Sequence, residues 1–393
     1  MRIGVDATCW ANRRGYGRHA RALLAAALEM DRRNRYVFFV DSEQAAAELP
    51  SGGEMVRVRT SAPAVEAARS DGRRRLADVW AMSRAMSDAA LDCLLFPTVY
   101  TYVPVWSRAR KIVVIHDVIP EKFPEHVFPT AAGRWNWRLK SLLARQQADL
   151  ILTVSEFSRR GIVEFFGEAP ERVKVIGEAG DPVFRVLENP ALSGRLRELG
   201  IAPLDRLLVF VGGFSPHKNL SRLLDAFETL AAKHSDLRLM LVGDYKTDAF
   251  YSCYEQICER AAKPPLDGRV ILTGYLPDEE LAGLLNRATA LVLPSLLEGF
   301  GLPAIEAAAC GLPVVATKAS PLPELLGSGG LYIDPSDTAG LAAAIDRVLT
   351  DPALARNMRE QGLRAAAALS WTRAAAELLA VFDQVAEHHA KAA

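Results

Sequence analysis

Cysteine is scarce and unpaired in the sequence. The 393 residues hold five, Cys9, Cys93, Cys253, Cys258 and Cys310, an odd number with no C-x-x-C spacing. That argues against a disulfide framework or a zinc knuckle and suits thiols kept reduced in the cytosol. Net charge is also missing, since 47 Lys and Arg balance 47 Asp and Glu. The chain therefore has no overall basic field to draw it to nucleic acid, and no nucleic-acid partner is expected. The balance hides an asymmetry: residues 1–185 carry 28 basic against 22 acidic side chains and residues 186–393 carry 19 against 25, so the two parts differ as +6 and −6. The start, MRIGVDATCW, has no apolar core of signal-peptide length because Asp6 interrupts it. The longest apolar tract, residues 89–106, contains Asp92, Pro97 and Pro104 and reads as strand plus loop rather than as a membrane span. Fixed-period repeats are absent, as is any D-x-D string that would hold a metal on a diphosphate.

What is present centres on residues 290–317, ALVLPSLLEGFGLPAIEAAACGLPVVAT. An apolar run, 291–293, reads as a buried strand ended by Pro294. A helix of about two turns is expected from near Pro303, where a proline lacks nothing the first turn needs, to the stop signal Gly311 with Pro313. Between them lie Gly299, Phe300, Gly301 and Leu302. Amides at a glycine-rich helix start form a seat for an anion such as phosphate. Glu298 precedes this seat and Glu306 follows about one turn into the helix. Carboxylates repel bare phosphate but accept hydrogen bonds from sugar hydroxyls. The bland alternative is a first-turn charge and a solvated helix residue.

The string EGFGLPAIE resembles the E-x7-E signature of glycosyltransferase family 4, and the resemblance covers nearly the whole chain. It implies the α/β GT-B fold: two Rossmann-like parallel-sheet lobes facing a cleft, with a C-terminal helix crossing back to the first lobe. The expected division is 1–185 for an acceptor-binding lobe, 186–370 for a nucleotide-sugar-binding lobe and 371–393 for that helix. The resemblance also implies that Glu298 contacts the donor sugar, that amides around Phe300, Gly301 and Leu302 meet sugar and diphosphate, and that Glu306 holds the ribose.

Taken in order, residues 3–5 and 36–40 read as strands around a helix from about Arg18. The intervening GYGRHA, 15–20, with Asp41 some twenty residues on, matches a dinucleotide fingerprint only superficially, because its first glycine follows the strand too late for a tight turn. It reads as a glycine loop before a helix. In family 4 a loop at this place approaches the donor diphosphate, which implies such a role for Gly15 and Gly17, with Arg18 as a helper. The arginine run Arg73, Arg74 and Arg75 carries no chemistry. Short apolar runs at 94–96 and 111–115 read as parallel strands that deliver loops to one sheet edge, and His116-Asp117 follows the second at that edge. Family members carry a similar histidine on the donor sugar. His116 is therefore the candidate catalytic histidine, with Asp117 as its orienting partner.

Residues 134–145, RWNWRLKSLLAR, mix basic and aromatic side chains on one helix. Two readings stay open: a face for peripheral contact with an anionic membrane, or an amphipathic helix whose tryptophans face the core. Runs at 150–154 and 173–176 complete the first sheet, and Ser155 is placed to cap a helix. A second series of strands follows at 207–211, 237–242, 270–273, 291–293 and 314–316. After its first member, GGFSPHKNL, 212–220, sets Lys218 at a helix start, where it can meet a diphosphate as a point charge. Many family members carry an arginine five residues earlier. Here that position is Gly213, which leaves His217, Arg18 or helix termini to supply the missing charge. The family also places the nucleobase near Tyr275 and Leu276, and SPLPELLGSGG, 320–330, as a glycine-ended turn shaping the pocket.

The resemblance implies a retaining hexosyl transfer from a nucleotide-sugar donor, GDP-mannose or a UDP-sugar, to a glycan or lipid-linked acceptor in surface polysaccharide or glycoconjugate synthesis. No cofactor and no metal are expected. Catalytic candidates are His116, Glu298 and Lys218, and a cytoplasmic location is expected, with or without contact at the inner membrane face. Rival readings are a GT-B-shaped epimerase, a phosphorylase with its pyridoxal phosphate lysine, a dehydrogenase resting on GYGRHA alone, and a two-lobed binding protein without chemistry.

Overall fold

Buried apolar runs bounded by turn residues become parallel strands throughout. The computed structural model describes residues 1–12, 15–67, 74–188, 190, 193–202, 204–244 and 251–392; Arg73 lies outside them. The chain divides into two units, Met1–Glu178 with Ser370–Ala393, and Ala179–Leu369.

Among the described residues the first unit holds a seven-stranded sheet of β1 (Arg2–Asp6), β2 (Arg35–Val40), β3 (Glu54–Arg57), β4 (Cys93–Phe96), β5 (Arg110–Val114), β6 (Leu150–Thr153) and β7 (Val173–Val175), in the order β3-β2-β1-β4-β5-β6-β7. The second holds β8 (Arg206–Val211), β9 (Leu237–Val242), β10 (Val270–Gly274), β11 (Ala290–Leu293), β12 (Val314–Thr317) and β13 (Gly330–Ile333), in the order β10-β9-β8-β11-β12-β13. All pairings are parallel. Both are Rossmann-like orders, and each reverses once, at β1/β4 and at β8/β11. There the two connecting loops leave toward opposite faces and open a crevice beyond the strand ends, the usual place for a ligand in such sheets.

The strand β13 is an addition to the sequence reading, which took this stretch as the end of a glycine turn. Its four residues GLYI lie at the sheet edge with Leu331 and Tyr332 half-buried, so the continuous apolar run that marks an inner strand is missing. A second correction concerns GYGRHA. The helix expected from Arg18 runs Gly15–Met30 and absorbs both glycines into its first turn. A Cβ on Gly17 would lie 2.0 Å from the Asn12 carbonyl oxygen and 2.7 Å from that of Cys9. Close packing of the helix on the preceding 3-10 turn, Ala7–Ala11, accounts for this glycine.

That helix packs against Trp371–Ala392 in the first unit, burying Leu23, Leu24 and Ala27 with Ala374, Ala375, Leu378 and Phe382. The stretch Pro352–Glu387 is long and apolar enough to cross a membrane by composition. Within it, Leu378 and Phe382 are buried in this core. All five cysteines are free thiols.

Candidate active site

The second unit's switch point brings together the loops after β8 and β11. Beyond β8 the backbone passes Gly212, where β9 runs so close that a Cβ on Gly243 would lie 1.9 Å from the Gly212 oxygen. Gly213 follows, and then a 3-10 turn, Pro216–Lys218, that ends at Asn219 in the left-handed region (φ 59°). Asparagine tolerates that region, and its side-chain amide donates to the carbonyls of Pro294 (3.0 Å) and Pro335 (2.8 Å). The Leu296 amide donates to the carbonyl of His217 at 2.8 Å. These bonds stitch the two loops at a fixed register, so that Lys218 and Glu298 face each other. Lys218 therefore sits in the turn before the helix Leu220–Lys233, not in the helix.

Lys218 Nζ donates to Glu298 Oε1 at 2.7 Å, and Ser295 Oγ donates to the same oxygen at 2.6 Å. Both charged side chains are largely withdrawn from solvent, at 21% and 10% exposure, which strengthens their attraction and raises the cost of separating them. A few residues on, Gly301 adopts φ 86° and opens the helix Leu302–Ala309. The amide of Leu302 at this start has no acceptor within its own helix. A Cβ on Gly301 would meet Leu322 side-chain carbons at 3.0 Å, so Gly301 is required by both backbone angle and space. Phe300 is buried at 5% exposure. Glu306 is not a solvated helix residue: it is 2% exposed in a helix whose Ala304, Ile305, Ala307 and Ala308 are also buried. A carboxylate in such surroundings carries a desolvation cost that partners or ligands have to offset.

Near the end of β10, Leu276 is buried and Tyr275 is 47% exposed. The carbonyls of Thr273 and Tyr275 accept from Arg195 at 2.6 and 3.1 Å. Neither Arg195 nor Ser295 stood out in the sequence, since no motif surrounds the first and the second is an ordinary loop serine until Glu298 is placed beside it.

In the first unit His116 follows β5. Its Nε2 lies 3.1 Å from the carbonyl of Pro97, just past β4, and its Nδ1 is 3.8 Å from Glu178 Oε1. The carboxylate facing the ring is thus Glu178. Asp117, expected to orient His116, instead accepts the Ile119 amide at 2.8 Å and holds the next turn. Gly15 and Gly17 lie in the first turn of the helix that carries His19, whose ring meets that of His116 edge to face at 4.9 Å. Nothing in the sequence links positions 19, 116 and 178; the fold alone brings them together. Asp6, at the end of β1, accepts from Thr8 and Thr101 and ties the β1 loop to the β4 loop. Ser155 caps its helix as expected, accepting the Ser158 amide at 3.0 Å.

Beside His116 opens a pocket of ≈ 350 Å³, counted out to solvent, with Tyr100, Asp117, Glu121, Trp137 and Ser141 among its walls. Trp137 Nε1 donates to Glu121 Oε1 at 2.8 Å. Burial pushes the Glu121 carboxyl up to about 7, against the opposing pull of that hydrogen bond. The folded chain thus keeps a proton on Glu121 that the unfolded chain releases near pH 4.5, so its ionisation weakens the fold progressively from about pH 4.5 up to about 7. Glu121→Gln should gain stability relative to the parent as pH rises from 5 to 7.5, by on the order of 1–3 kcal/mol. Thermal melts across that range check it; a difference independent of pH would contradict the assignment.

The helix Ala131–Gln147 splits its tryptophans. Trp137 is buried, whereas Trp135 (66%), Leu139 (46%) and Leu142 (41%) form an exposed stripe at i, i+4 and i+7 with Arg138 beside it. The expectation that both tryptophans face the core therefore fails for Trp135.

Comparison with known proteins places these features in context. A sequence model described as glycosyl transferases group 1 matches residues 196–365, and one described as glycosyltransferase family 4 matches residues 13–182. The chain is 30% identical to O-antigen chain mannosyltransferase B of Escherichia coli over 67% of either protein. It is 32% identical to MMP alpha-(1->4)-mannosyltransferase of Mycolicibacterium hassiacum over 65% of this chain and 61% of that one. It is 28% identical to serotype-specific mannosyltransferase WbdA of Escherichia coli over 68% of this chain, which spans only 32% of that larger protein. Among solved structures, sucrose-phosphate synthase from Thermosynechococcus elongatus superposes with a TM-score of 0.76 at 18% identity, covering 99% and 100% of the two chains. Anabaena HepE in complex with UDP and glucose gives 0.73 at 19%, covering 97% and 99%.

Proposed function

Because the chain belongs to the group 1 glycosyltransferases of family 4, we propose that it moves a hexose from a nucleoside diphosphate sugar to a hydroxyl of a glycan or lipid-linked acceptor, with retention at the anomeric carbon. Membership makes it a transferase, which sets aside the binding-protein and epimerase readings. The observation that carries the donor assignment is the pairing of Lys218 with Glu298 beside the Gly301 helix start, with Glu306 buried one turn further on. A diphosphate needs a cation and free amides, and a sugar and a ribose each need a carboxylate. Tyr275 and Leu276 take the base and Phe300, Gly301 and Leu302 the sugar and diphosphate. GDP-mannose is the donor favoured, after the mannosyltransferases among the relatives; a UDP-sugar is second, after the UDP in the HepE structure.

In this reading the acceptor oxygen attacks the anomeric carbon from the face the diphosphate leaves. The carbon–oxygen bond to phosphate breaks, the bond to the acceptor forms, and a leaving phosphate oxygen takes the acceptor proton. Lys218 and the amides at the helix start stabilise the departing charge, a task that arises only as the bond breaks and so speeds the reaction. Glu298, already fixed by Lys218 and Ser295, grips a sugar hydroxyl. Gly213 leaves the familiar second cation out, so Lys218 bears more of the load. The Trp135–Leu139–Leu142 stripe, on the unit with the basic excess, suits contact with an anionic membrane at its cytoplasmic face. That location fits work on lipid-linked acceptors in surface polysaccharide assembly.

Glu306→Ala tests the ribose assignment. It should weaken donor binding by roughly 10- to 100-fold, the worth of hydrogen bonds to a charged group. Unchanged donor affinity and unchanged turnover would remove the assignment.

A further inference from the structure

The strand β10 runs into a loop whose carbonyls are already engaged. The Thr273 carbonyl accepts from Arg195 Nη2 at 2.6 Å and the Tyr275 carbonyl from Arg195 Nη1 at 3.1 Å. Between them the Gly274 carbonyl accepts from the Gly243 amide at 3.1 Å and from Thr273 Oγ1 at 2.8 Å. The amides of Tyr275 and Leu276, by contrast, have no acceptor among the described residues. We propose that Arg195 sets the base specificity of the nucleotide seat. By covering these carbonyls with a cation it turns the loop into a hydrogen-bond donor, which admits bases with an oxo group on their pairing edge, guanine and uracil, and rejects those with an amino group there, adenine and cytosine. This rests on the reading that Tyr275 and Leu276 take the base, and adds to it which bases fit.

The chemistry turns on the exocyclic group. Guanine O6, and the O4 that uracil shares with thymine, are acceptors, whereas adenine N6 and cytosine N4 are donors. An oxo oxygen meets unpartnered N–H groups here and gains from a positive charge nearby. An amino group needs an acceptor instead. Each carbonyl has a second lone pair, but the guanidinium beside it never loses its charge and repels an incoming N–H. The wrong base is thus refused as well as the right one held, and specificity draws on both.

Arg195 is held to this task by its surroundings. The register of β10 on β9 shifts between Leu272 and Gly274, and Gly274 adopts φ 71°, so the chain bends away from the sheet between the two carbonyls that Arg195 holds. One planar guanidinium spans that bend with two donors, which a lysine's single ammonium does not reproduce. The short helix that carries it, Gly194–Glu198, is anchored by the fully buried Leu196. Ser193 Oγ donates to Glu280 Oε2 at 2.8 Å, on the helix that follows the loop. Further along that helix Asn286 accepts the Leu187 amide at 2.8 Å and donates to the Arg185 carbonyl at 2.9 Å. Residues on either side of the base loop are thereby fastened to the segment that bears Arg195.

The test is calorimetric titration of the full chain with GDP, ADP, UDP and CDP, with inorganic pyrophosphate as a probe that has no base and circular dichroism as a check on folding. The parent should bind GDP more tightly than ADP, and UDP more tightly than CDP, by about 10-fold or more in each pair. Arg195→Ala should bring both ratios to within about threefold while the affinity for pyrophosphate stays as it was. Arg195→Lys, which keeps the charge without the fork, should fall between. Equal affinities within each pair in the parent, or ratios kept in the folded Arg195→Ala chain, would overturn the proposal. So would an equal fall for all four nucleotides and pyrophosphate, which would make Arg195 a support of the fold alone. Binding of none of the four nucleotides would overturn the donor reading itself and this proposal with it, an outcome distinct from nucleotide binding without base preference.

Discussion

Lys218→Ala is expected to lower kcat/KM for the donor by about 10²- to 10³-fold, the range seen when a group that stabilises developing charge is removed. Among the described residues Lys218 is the one cation placed against Glu298, 2.7 Å from its carboxylate, and Gly213 supplies no second charge. Deleting the lysine does more than subtract a positive charge. It leaves the Glu298 carboxylate, 10% exposed and still held by Ser295, facing an incoming diphosphate without the cation that lies between the two anions. The loss should therefore appear in donor KM as well as in kcat. Adding Glu298→Gln to Lys218→Ala should recover part of the donor affinity, because the repelling charge is then gone, while turnover stays low for want of the sugar grip. The two substitutions are in direct contact, so their effects should fall short of additivity. Steady-state kinetics of the two single variants and the double variant check this; activity of Lys218→Ala within threefold of the parent would remove the lysine from the reaction.

The second large effect is expected at Gly301. An alanine there has to hold φ near 86°, at a cost of about 1–2 kcal/mol for a residue with a Cβ. It also presses on Leu322 carbons at 3.0 Å, which adds about 1 kcal/mol or more unless the leucine moves. For a unit of this size each kcal/mol shifts Tm by about 2–4 °C, so Gly301→Ala should melt roughly 4–12 °C lower. Because Gly301 aims the first amides of the helix Leu302–Ala309, donor binding should weaken at least 10-fold as well. Gly268→Ala is the control. Its φ is +67° and nothing lies within 4 Å of the added carbon, so it should share the backbone cost without the loss of donor affinity. Calorimetry with donor titration separates the two outcomes, and equal donor affinity in both variants would contradict the role given to Gly301.

The sheets were legible because parallel strands buried on both faces read as short apolar runs ended by proline or glycine. β4, β11 and β12 are fully buried, and each was read within one residue of its observed ends. β13 escaped because an edge strand of four residues needs no continuous apolar run. The helix start at Gly15 escapes for a related reason: glycine usually marks a loop, and here Gly17, inside the first turn, is set by a carbonyl 2.0 Å from where a Cβ would sit. Side-chain chemistry was legible where one short motif holds it. EGFGLPAIE places Glu298, Gly301 and Glu306 by local geometry alone. The partner of Glu298 lies 80 residues away in Lys218, and its direct pairing could not be read from either motif. The same holds for Glu178 facing His116, where the neighbouring Asp117 was the natural but mistaken choice. Contacts set by the order of strands in a sheet are invisible to spacing along the chain.

A nucleotide-sugar seat in the second unit is tested most directly by the thermal stability of the chain with UDP-, GDP- and ADP-sugars in turn. A ligand that binds the folded state at 100 times its Kd adds about 2.7 kcal/mol. A clear rise in Tm is expected with at least one of these nucleotide sugars, foremost GDP-mannose, and loss of that rise in Lys218→Ala. No rise with any of them at millimolar concentration, or a rise undiminished in Lys218→Ala, would contradict it.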